Sequence, residues 1–197
     1  MLKLVIHNRS NSVRAKTLTE AFGSQWYVDN SFTVVEAEMI PKHPSKGILG
    51  SFKKCIRIAQ EAGESEVAVF EDDIRFLRND SLHDFLHYRS LIPDTYDLYL
   101  GGIYSGEIIP INDHLGKVPA EFCGLHCCMI SDKFYDKFLS IETCMNVDYV
   151  ISTRSLFPCE VYCAYPMLAI QHDGYSDNVK QQTNYNSALF EQYKLKL

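Results

Sequence analysis

Short apolar runs alternate with helix-compatible segments along the first hundred residues. Residues 2–6 are a continuous apolar run that ends in polar residues, which is typical of a strand buried on both faces. Residues 12–22 carry apolar side chains at helical spacing, and residues 32–35 are a second apolar run. The pattern predicts a strand, a helix and a second strand in this order.

The next helix and strand follow a stretch that contains helix-breaking residues. Pro41, Pro44 and Gly47 interrupt the pattern, so we expect a helix only over about 51–62. Residues 67–70 are a third apolar run of strand length. This run predicts the third strand of the sheet.

A third helix and a fourth strand continue the alternation. Asp80 or Ser81 can cap a helix that extends to about residue 91, before Pro93, and residues 96–100 predict a strand. Because strands and helices alternate, we expect an α/β domain with a mixed, mainly parallel sheet and helices on both faces. Ligands of such sheets bind at the carboxyl ends of the strands.

The second half of the chain has a less regular pattern. It predicts a loop or hairpin over 108–118, a strand over 124–130, a capped helix over 131–140 and one or two strands over 161–170. No repeat or low-complexity linker separates the two halves. With 197 residues, of which 46% are hydrophobic, the chain predicts one domain with a single substantial core.

Net charge and apolar content exclude two classes of protein. A formal net charge of -6 argues against a protein that neutralises many nucleic-acid phosphates. No run reaches the roughly 20 apolar residues that cross a bilayer, and the first residues lack the features of a signal peptide. We therefore expect a soluble, cytoplasmic protein that would reach any membrane-linked acceptor from the water side.

The seven cysteines match neither a disulfide framework nor a zinc ribbon. Their odd number and the absence of paired C-x-x-C motifs favour small buried residues in a reducing compartment. Cys159 and Cys163 have a spacing found in metal sites, but the residues between them predict a strand. We expect both to be structural.

Three consecutive acidic residues, Glu71, Asp72 and Asp73, follow the third predicted strand. Carboxylates this close raise one another's pKa unless a positive charge lies among them. Mg²⁺ or Mn²⁺ would supply that charge, because these hard cations prefer oxygen ligands and leave positions for substrate phosphates. The alternative is a solvated acidic turn in which Asp72 or Asp73 caps the next segment. The buried strand before the triplet favours the cation site.

Basic residues near the predicted strand ends could contact a diphosphate. Arg9 and Arg14 come just after the first strand, and Lys53 or Lys54 lies on the second predicted helix. Guanidinium and ammonium groups bind phosphates through charge-assisted hydrogen bonds. A solvated side chain is the alternative in each case, and we favour that alternative for Lys54.

A series of short motifs follows in a fixed order over about residues 1–178. They are His7-Asn8 with Arg9 and Arg14, Gly47-Ile48-Leu49-Gly50, Val69-Phe70-Glu71-Asp72-Asp73, Tyr96-Asp97-Leu98-Tyr99-Leu100-Gly101, Gly124 to Ser131, Val147-Asp148, Tyr165-Pro166 and Ser176-Asp177. Together they resemble the motifs of the family 25 glycosyltransferases of lipooligosaccharide biosynthesis, which have the GT-A fold. The chain departs from that family at Lys54-Cys55, where the family usually carries a serine–histidine pair, so its donor or acceptor can differ.

The resemblance implies a metal-dependent, inverting transferase with a GT-A-like, Rossmann-type sheet. It would move a sugar from a nucleotide-sugar donor, most simply a UDP-sugar, to a hydroxyl of a glycan or glycolipid acceptor. Residues of about 1–105 would bind the nucleotide and residues of about 106–197 the acceptor. Donor contacts would come from His7, Asn8, Arg9, Arg14, Lys54 and Asp72, while Glu71 and Asp73 would hold Mn²⁺ or Mg²⁺.

Two histidines of the second half receive different interpretations. His172 follows an apolar run, and the resemblance implies that a late histidine joins the acidic motif on the cation. A surface histidine is the alternative. His126 lies inside the predicted strand 124–130, so we expect a core histidine with satisfied hydrogen bonds.

Asp148 is the candidate general base that the resemblance implies. A base at this position would accept the proton of the acceptor hydroxyl while the diphosphate departs from the opposite face. The alternative is a helix N-cap, a position that aspartate fills well. Asp177 is the reserve candidate for the base.

Two other functions fit the same pattern. A sugar-phosphate nucleotidyltransferase would use a similar fold and acidic site, but residues 7–12 lack the glycine-rich run that cradles phosphates. A non-catalytic module that binds sugar nucleotides or glycans would keep the fold without the base. Metal-dependent UDP binding without turnover would indicate the module.

Overall fold

A computed structural model describes residues 1–24, 31–143, 145–153, 157–176 and 181–184. Its strands are β1 (Leu2–His7), β2 (Thr33–Glu36), β3 (Glu66–Glu71), β4 (Ile74–Phe76), β5 (Leu98–Leu100), β6 (Ile109–Pro110), β7 (Leu115–Lys117), β8 (Cys127–Ser131), β9 (Val161–Ala164), β10 (Ala169–Gln171), β11 (Gly174–Ser176) and β12 (Gln181–Thr183). Its helices are α1 (Ser12–Phe22), α2 (Pro44–Glu61), α3 (Ser81–Tyr88), α4 (Asp132–Leu139) and α5 (Val147–Ser152), and a 3₁₀ turn, Arg89–Leu91, follows α3.

The central sheet has the strand order β2-β1-β3-β8-β5-β9-β7-β6. Strands β1, β2, β3, β5, β6 and β9 run in one direction, and β7 and β8 run in the other. The predicted α/β class with a mixed, mainly parallel sheet is therefore confirmed. Both halves of the chain contribute strands to this sheet, because β8 lies between β3 and β5.

Each face of the sheet has its own apolar core, because side chains alternate along the strands. Leu4 of β1 and Val69 of β3 pack on the face that α2, α4 and α5 cover. Val5 and Phe70, their neighbours along the same strands, pack on the face that α1 and α3 cover. The predicted helices on both faces are confirmed.

Helix α2 begins seven residues before the predicted start at residue 51, at Pro44. The first helical position tolerates proline, because the N–H that proline lacks would have no partner there. Gly47 then lies inside the helix, where a Cβ would overlap the carbonyl oxygen of Glu38. The glycine therefore lets α2 approach the segment after β2 closely, instead of ending the helix.

Other element boundaries differ from the predictions by a few residues. Strand β5 begins at Leu98 rather than at residue 96, because the N–H of Tyr96 is bonded in a turn to the carbonyl of Pro93. Strand β8 begins at Cys127, where pairing with β3 starts, rather than at Gly124. Gly124 has φ of 124°, which favours glycine and does not continue a strand.

Strands β4 and β10 form a separate antiparallel pair that no sequence pattern predicted. Gln171 of β10 lies opposite Ile74 of β4, and the His172 N–H donates a 2.7 Å hydrogen bond to the carbonyl oxygen of Asp73. This pairing brings the end of β10 onto the acidic triplet. None of the described helices is both long enough and apolar enough to cross a membrane.

His126 is buried as predicted. Neither ring nitrogen makes a hydrogen bond of regular geometry among the described residues, although the Ala169 backbone raises the pKa of the ring, so the prediction of satisfied hydrogen bonds is not confirmed. Burial lowers the pKa of His126 to about 4, and the ring is therefore neutral near pH 7. The described cysteines are free thiols, and Cys163 is buried in β9.

Candidate active site

The acidic triplet lies where two neighbouring parallel strands end. Ile6 of β1 pairs with Glu71 of β3, so His7 and Asp72, which follow them, lie next to each other. The His7 Nδ1 atom lies 2.8 Å from Asp72 Oδ2, and the Asn8 N–H donates a 3.3 Å hydrogen bond to the same oxygen. The end of β1 therefore fixes the carboxylate of Asp72.

Arg14 reaches the triplet from the first turn of α1. Asn11 caps this helix and accepts a 3.1 Å hydrogen bond from the Arg14 N–H. The guanidinium lies 3.0 Å from Asp73 Oδ2 and 3.9 Å from Asp72 Oδ1. The positive charge that the sequence requires among these carboxylates is supplied here by Arg14.

The carboxyl group of Glu71 has a raised pKa. Burial raises its pKa to about 7, the negative charges of Asp148 and Asp72 act in the same direction, and Arg14 opposes them. A substantial fraction of Glu71 therefore carries a proton near pH 7.

Gln171 joins the two outer carboxylates of the triplet. Its Nε2 atom lies 3.5 Å from Glu71 Oε2 and 3.4 Å from both carboxylate oxygens of Asp73. Its Oε1 atom is buried and has no hydrogen-bond partner among the described residues. The sequence pattern did not predict this residue and indicated its neighbour His172 instead.

Asp148 lies one residue inside α5, whose N-cap is Asn146, so the N-cap interpretation of Asp148 is wrong. Its Oδ2 accepts hydrogen bonds from the Gly124 N–H at 3.1 Å and the Tyr104 hydroxyl at 3.3 Å. Its Oδ1 accepts a 2.9 Å bond from the Tyr149 N–H. Burial raises the pKa of Asp148, and these bonds oppose that effect.

Asn8, Arg14, the acidic triplet, Asp148 and Gln171 line one cavity of about 190 Å³, and His7 does not line it. We call one set of lining residues the polar wall: Arg14, Glu71, Asp72, Asp73, Asp148 and Gln171. A second set, the apolar wall, comes from the end of β1, the segment after β2 and the first turns of α2: Ile6, Ala37, Met39, Ile40, Pro41 and Ile48. The cavity thus joins a charged surface at the strand ends to an apolar surface beside α2.

Several predicted site residues lie apart from this cavity. The Arg9 side chain is 69% exposed and lies 3.5 Å from Glu36 Oε2, and Lys54 Nζ lies 3.5 Å from Glu38 Oε2. The half-buried His172 is not among the lining residues. Asp177, the reserve base, is outside the described residues.

The carboxylate and carboxamide groups of the polar wall are chemically suited to bind a hard divalent cation. Within the described ranges, no three histidine, cysteine, aspartate or glutamate side chains are grouped so that they could hold a metal ion. Glu71 and Asp73 nevertheless converge on one point, because both carboxylates lie within 3.5 Å of Gln171 Nε2. Carboxylate and carboxamide oxygens are ligands that Mg²⁺ and Mn²⁺ accept. The cation site stays a prediction.

Two solved structures share the fold over nearly the whole chain. A glycosyltransferase involved in the glycosylation of the major capsid of PBCV-1 superposes with a TM-score of 0.58 at 11% identity, over 91% of this chain and 95% of its own. A197 from STIV superposes with a TM-score of 0.54 at 12% identity, over 92% of this chain and 93% of its own. At such identities the likeness is one of fold.

No family model and no curated protein matches the sequence. The resemblance to family 25 therefore has no support beyond the short motifs themselves. The fold comparison supports the coarser statement that the chain has a glycosyltransferase-like α/β fold.

Proposed function

We propose that the protein transfers a sugar from a nucleotide-sugar donor, most simply a UDP-sugar, to a hydroxyl of a glycan or glycolipid acceptor with inversion. The observation that carries this proposal is that a guanidinium, a carboxylate triplet and a separate buried carboxylate line the same cavity as an apolar wall. The shared fold with the PBCV-1 glycosyltransferase supports it.

The two walls suit the two parts of a nucleoside diphosphate. The apolar wall would cover the base, and Arg14 and Asn8 would face the diphosphate from the ends of α1 and β1. A cavity of about 190 Å³ is smaller than the roughly 300–1,000 Å³ of pockets that enclose drug-sized ligands. The sugar would therefore extend toward the opening, where an acceptor can reach it.

Glu71 and Asp73 would hold Mn²⁺ or Mg²⁺, and a bound cation would stabilise the negative charge of the departing diphosphate. The cation would then neutralise Asp73, the carboxylate that lies 3.0 Å from the Arg14 guanidinium. Its guanidinium can turn from Asp73 toward the phosphate oxygens, which bind arginine through charge-assisted hydrogen bonds.

Asp148 would act as the general base. The acceptor hydroxyl gives its proton to Asp148, its oxygen forms the new bond to the anomeric carbon, and the bond from that carbon to the diphosphate breaks with its electron pair on the diphosphate. Burial raises the proton affinity of Asp148, and the Gly124 N–H and Tyr104 hydroxyl orient its carboxylate.

Asp148→Asn tests this assignment in an assay with a panel of nucleotide sugars and acceptors. We expect turnover to fall roughly 100-fold or more with nearly unchanged UDP-sugar affinity, because a base acts in the transition state. One backbone N–H loses its acceptor in the variant, so its melting temperature is measured separately. Asp113→Asn, on the exposed β6–β7 turn, is the matched control.

The outcomes separate the competing functions. Wild-type turnover in Asp148→Asn would move the base to Asp177 or another acid. Cation-dependent UDP binding with no turnover on any donor would identify a non-catalytic binding module. Pyrophosphate release from a nucleoside triphosphate and a sugar phosphate would identify a nucleotidyltransferase.

A further inference from the structure

Gln171 is a buried polar residue in the cavity that the proposed sugar transfer leaves without a role. It is 8% exposed and lines the cavity from the end of β10. Pairing of β10 with β4 places it opposite Ile74, the residue after the acidic triplet. Its position is therefore set by backbone hydrogen bonds rather than by its own side chain.

The carboxamide of Gln171 is only partly satisfied. Its Nε2 atom makes long contacts of 3.4–3.5 Å to three carboxylate oxygens of Glu71 and Asp73. Its buried Oε1 atom has no hydrogen-bond partner in the described part of the chain. Buried carboxamide groups are normally well paired, so a poorly paired one in a cavity wall indicates that a partner such as a ligand is missing.

We propose that Gln171 is the third protein ligand of the divalent cation, together with Glu71 and Asp73. A half-turn of the carboxamide exchanges its oxygen and nitrogen, which places Oε1 beside the two carboxylates. The inference rests on the cation requirement of the proposed function and is independent of sugar transfer itself.

The spacing of these atoms matches a ligand shell. Oxygen ligands about 2.1 Å from an octahedral Mg²⁺ lie roughly 3 Å from their neighbours. The Nε2 atom, whose place Oε1 would take, is 3.4–3.5 Å from three carboxylate oxygens. A contraction of a few tenths of an ångström would complete the shell on the protein side, and the remaining positions would be open to diphosphate oxygens.

His172 is the competing ligand, and the local geometry favours Gln171. Neighbouring residues at a strand end project to different sides, so Gln171 and His172 do not both face the triplet. The His172 N–H is bonded to the Asp73 carbonyl, and its ring does not line the cavity. A glutamine ligand is also consistent with the absence, in the described ranges, of three histidine, cysteine or acidic side chains grouped to hold a metal ion.

Binding of Mn²⁺ to the full chain, followed by the electron paramagnetic resonance signal of free Mn²⁺ with and without UDP, tests the assignment. Gln171→Met keeps the length of the side chain and removes the hard oxygen, so we expect roughly 10- to 100-fold weaker Mn²⁺ binding. Gln171→Glu restores an oxygen ligand and should bind Mn²⁺ at least as tightly as the wild type. His172→Ala should bind like the wild type.

A crystal structure with Mn²⁺ and UDP supplies the direct measurement, and we expect Oε1 within about 2.5 Å of the cation. Wild-type affinity in Gln171→Met, or a loss confined to His172→Ala, would overturn the assignment and leave the proposed function standing. Mn²⁺ binding that depends on Gln171 in a protein without turnover would uphold the assignment and overturn the function. Sugar transfer in EDTA with no Mn²⁺ binding would overturn the assignment and the cation requirement together.

Discussion

The polar and apolar walls of the cavity differ in what holds them in place. The polar wall contains a carboxyl group with its pKa raised to about 7 and a buried oxygen without a partner among the described residues, and both are unfavourable without a ligand. Its Arg14–Asp73 ion pair compensates only part of the negative charge. The apolar wall is held by close packing, since Gly47 brings α2 against the backbone of Glu38 and the Glu38 N–H donates a 2.8 Å hydrogen bond to Ser51 Oγ. One wall is prepared for a charged ligand, and the other is a rigid surface.

Asp73→Ala should have the largest effect on ligand binding by the polar wall. The carboxylate belongs to the predicted cation site and not to the core, so we expect cation-dependent UDP binding to weaken by about 100-fold or more while the fold stays intact. Calorimetric titration with UDP, with and without Mn²⁺, measures the loss of affinity. The control is Asp113→Ala, at an exposed position. An unchanged affinity in the presence of Mn²⁺ would remove the central assignment.

Glu71→Gln should show that the polar wall lowers the stability of the metal-free protein. The folded-state pKa of Glu71 is about 7 and its ordinary value is 4.5, so between these pH values the folded state holds a proton that the unfolded state has released. The free energy of unfolding therefore falls as pH rises through this range, by about 3 kcal/mol at most.

We expect Glu71→Gln to remove this dependence. In EDTA the variant should be about 1–3 kcal/mol more stable than the wild type at pH 8 and nearly equal to it at pH 4, as measured by denaturant unfolding. The control is Glu61→Gln, at the exposed end of α2, which should change the stability little at either pH. Equal stabilisation at pH 4 and pH 8 would contradict the titration of Glu71.

Met39→Ala, in the apolar wall, should have the smallest effect of these substitutions. Met39 lines the cavity and is 52% exposed, so its removal costs little folding free energy. We expect UDP affinity to fall several-fold, with and without Mn²⁺, and pyrophosphate affinity to stay unchanged, because the lost contact is with the base. Ile111→Ala, at a residue 54% exposed on the β6–β7 turn, is the matched control. An equal loss of pyrophosphate affinity would show that Met39 does not face the base.

The polar wall was predictable from the sequence where its residues are neighbours along the chain. Glu71, Asp72 and Asp73 follow an apolar strand, and Arg14 lies in the first turn of a helix whose bounds were predicted correctly. Gln171 was missed because it joins the triplet through the pairing of β4 with β10, about a hundred residues away in sequence. The sequence indicated the neighbouring His172, which does not line the cavity, because a shift of one residue changes the side to which a strand residue projects.

The strand order of the sheet could not be predicted from local sequence patterns either. The alternation of the first half predicted parallel strands, and β1, β2 and β3 are parallel neighbours. The antiparallel insertion of β8 between β3 and β5 depends on a connection from the second half, and its apolar run was compatible with either direction. Apolar content indicates that a strand is buried but not which strands it contacts.

The insertion of β8 also determines when the protein can fold during its synthesis. Strand β3 must wait for β8, which the ribosome completes about sixty residues later, and in the described sheet β8 separates β5 from β1, β2 and β3. Until then the edge of β3 lacks its partner and can pair with other chains. A nascent chain stopped near residue 105 should therefore need a chaperone, and translation that pauses between β5 and β8 should lower the yield of folded protein.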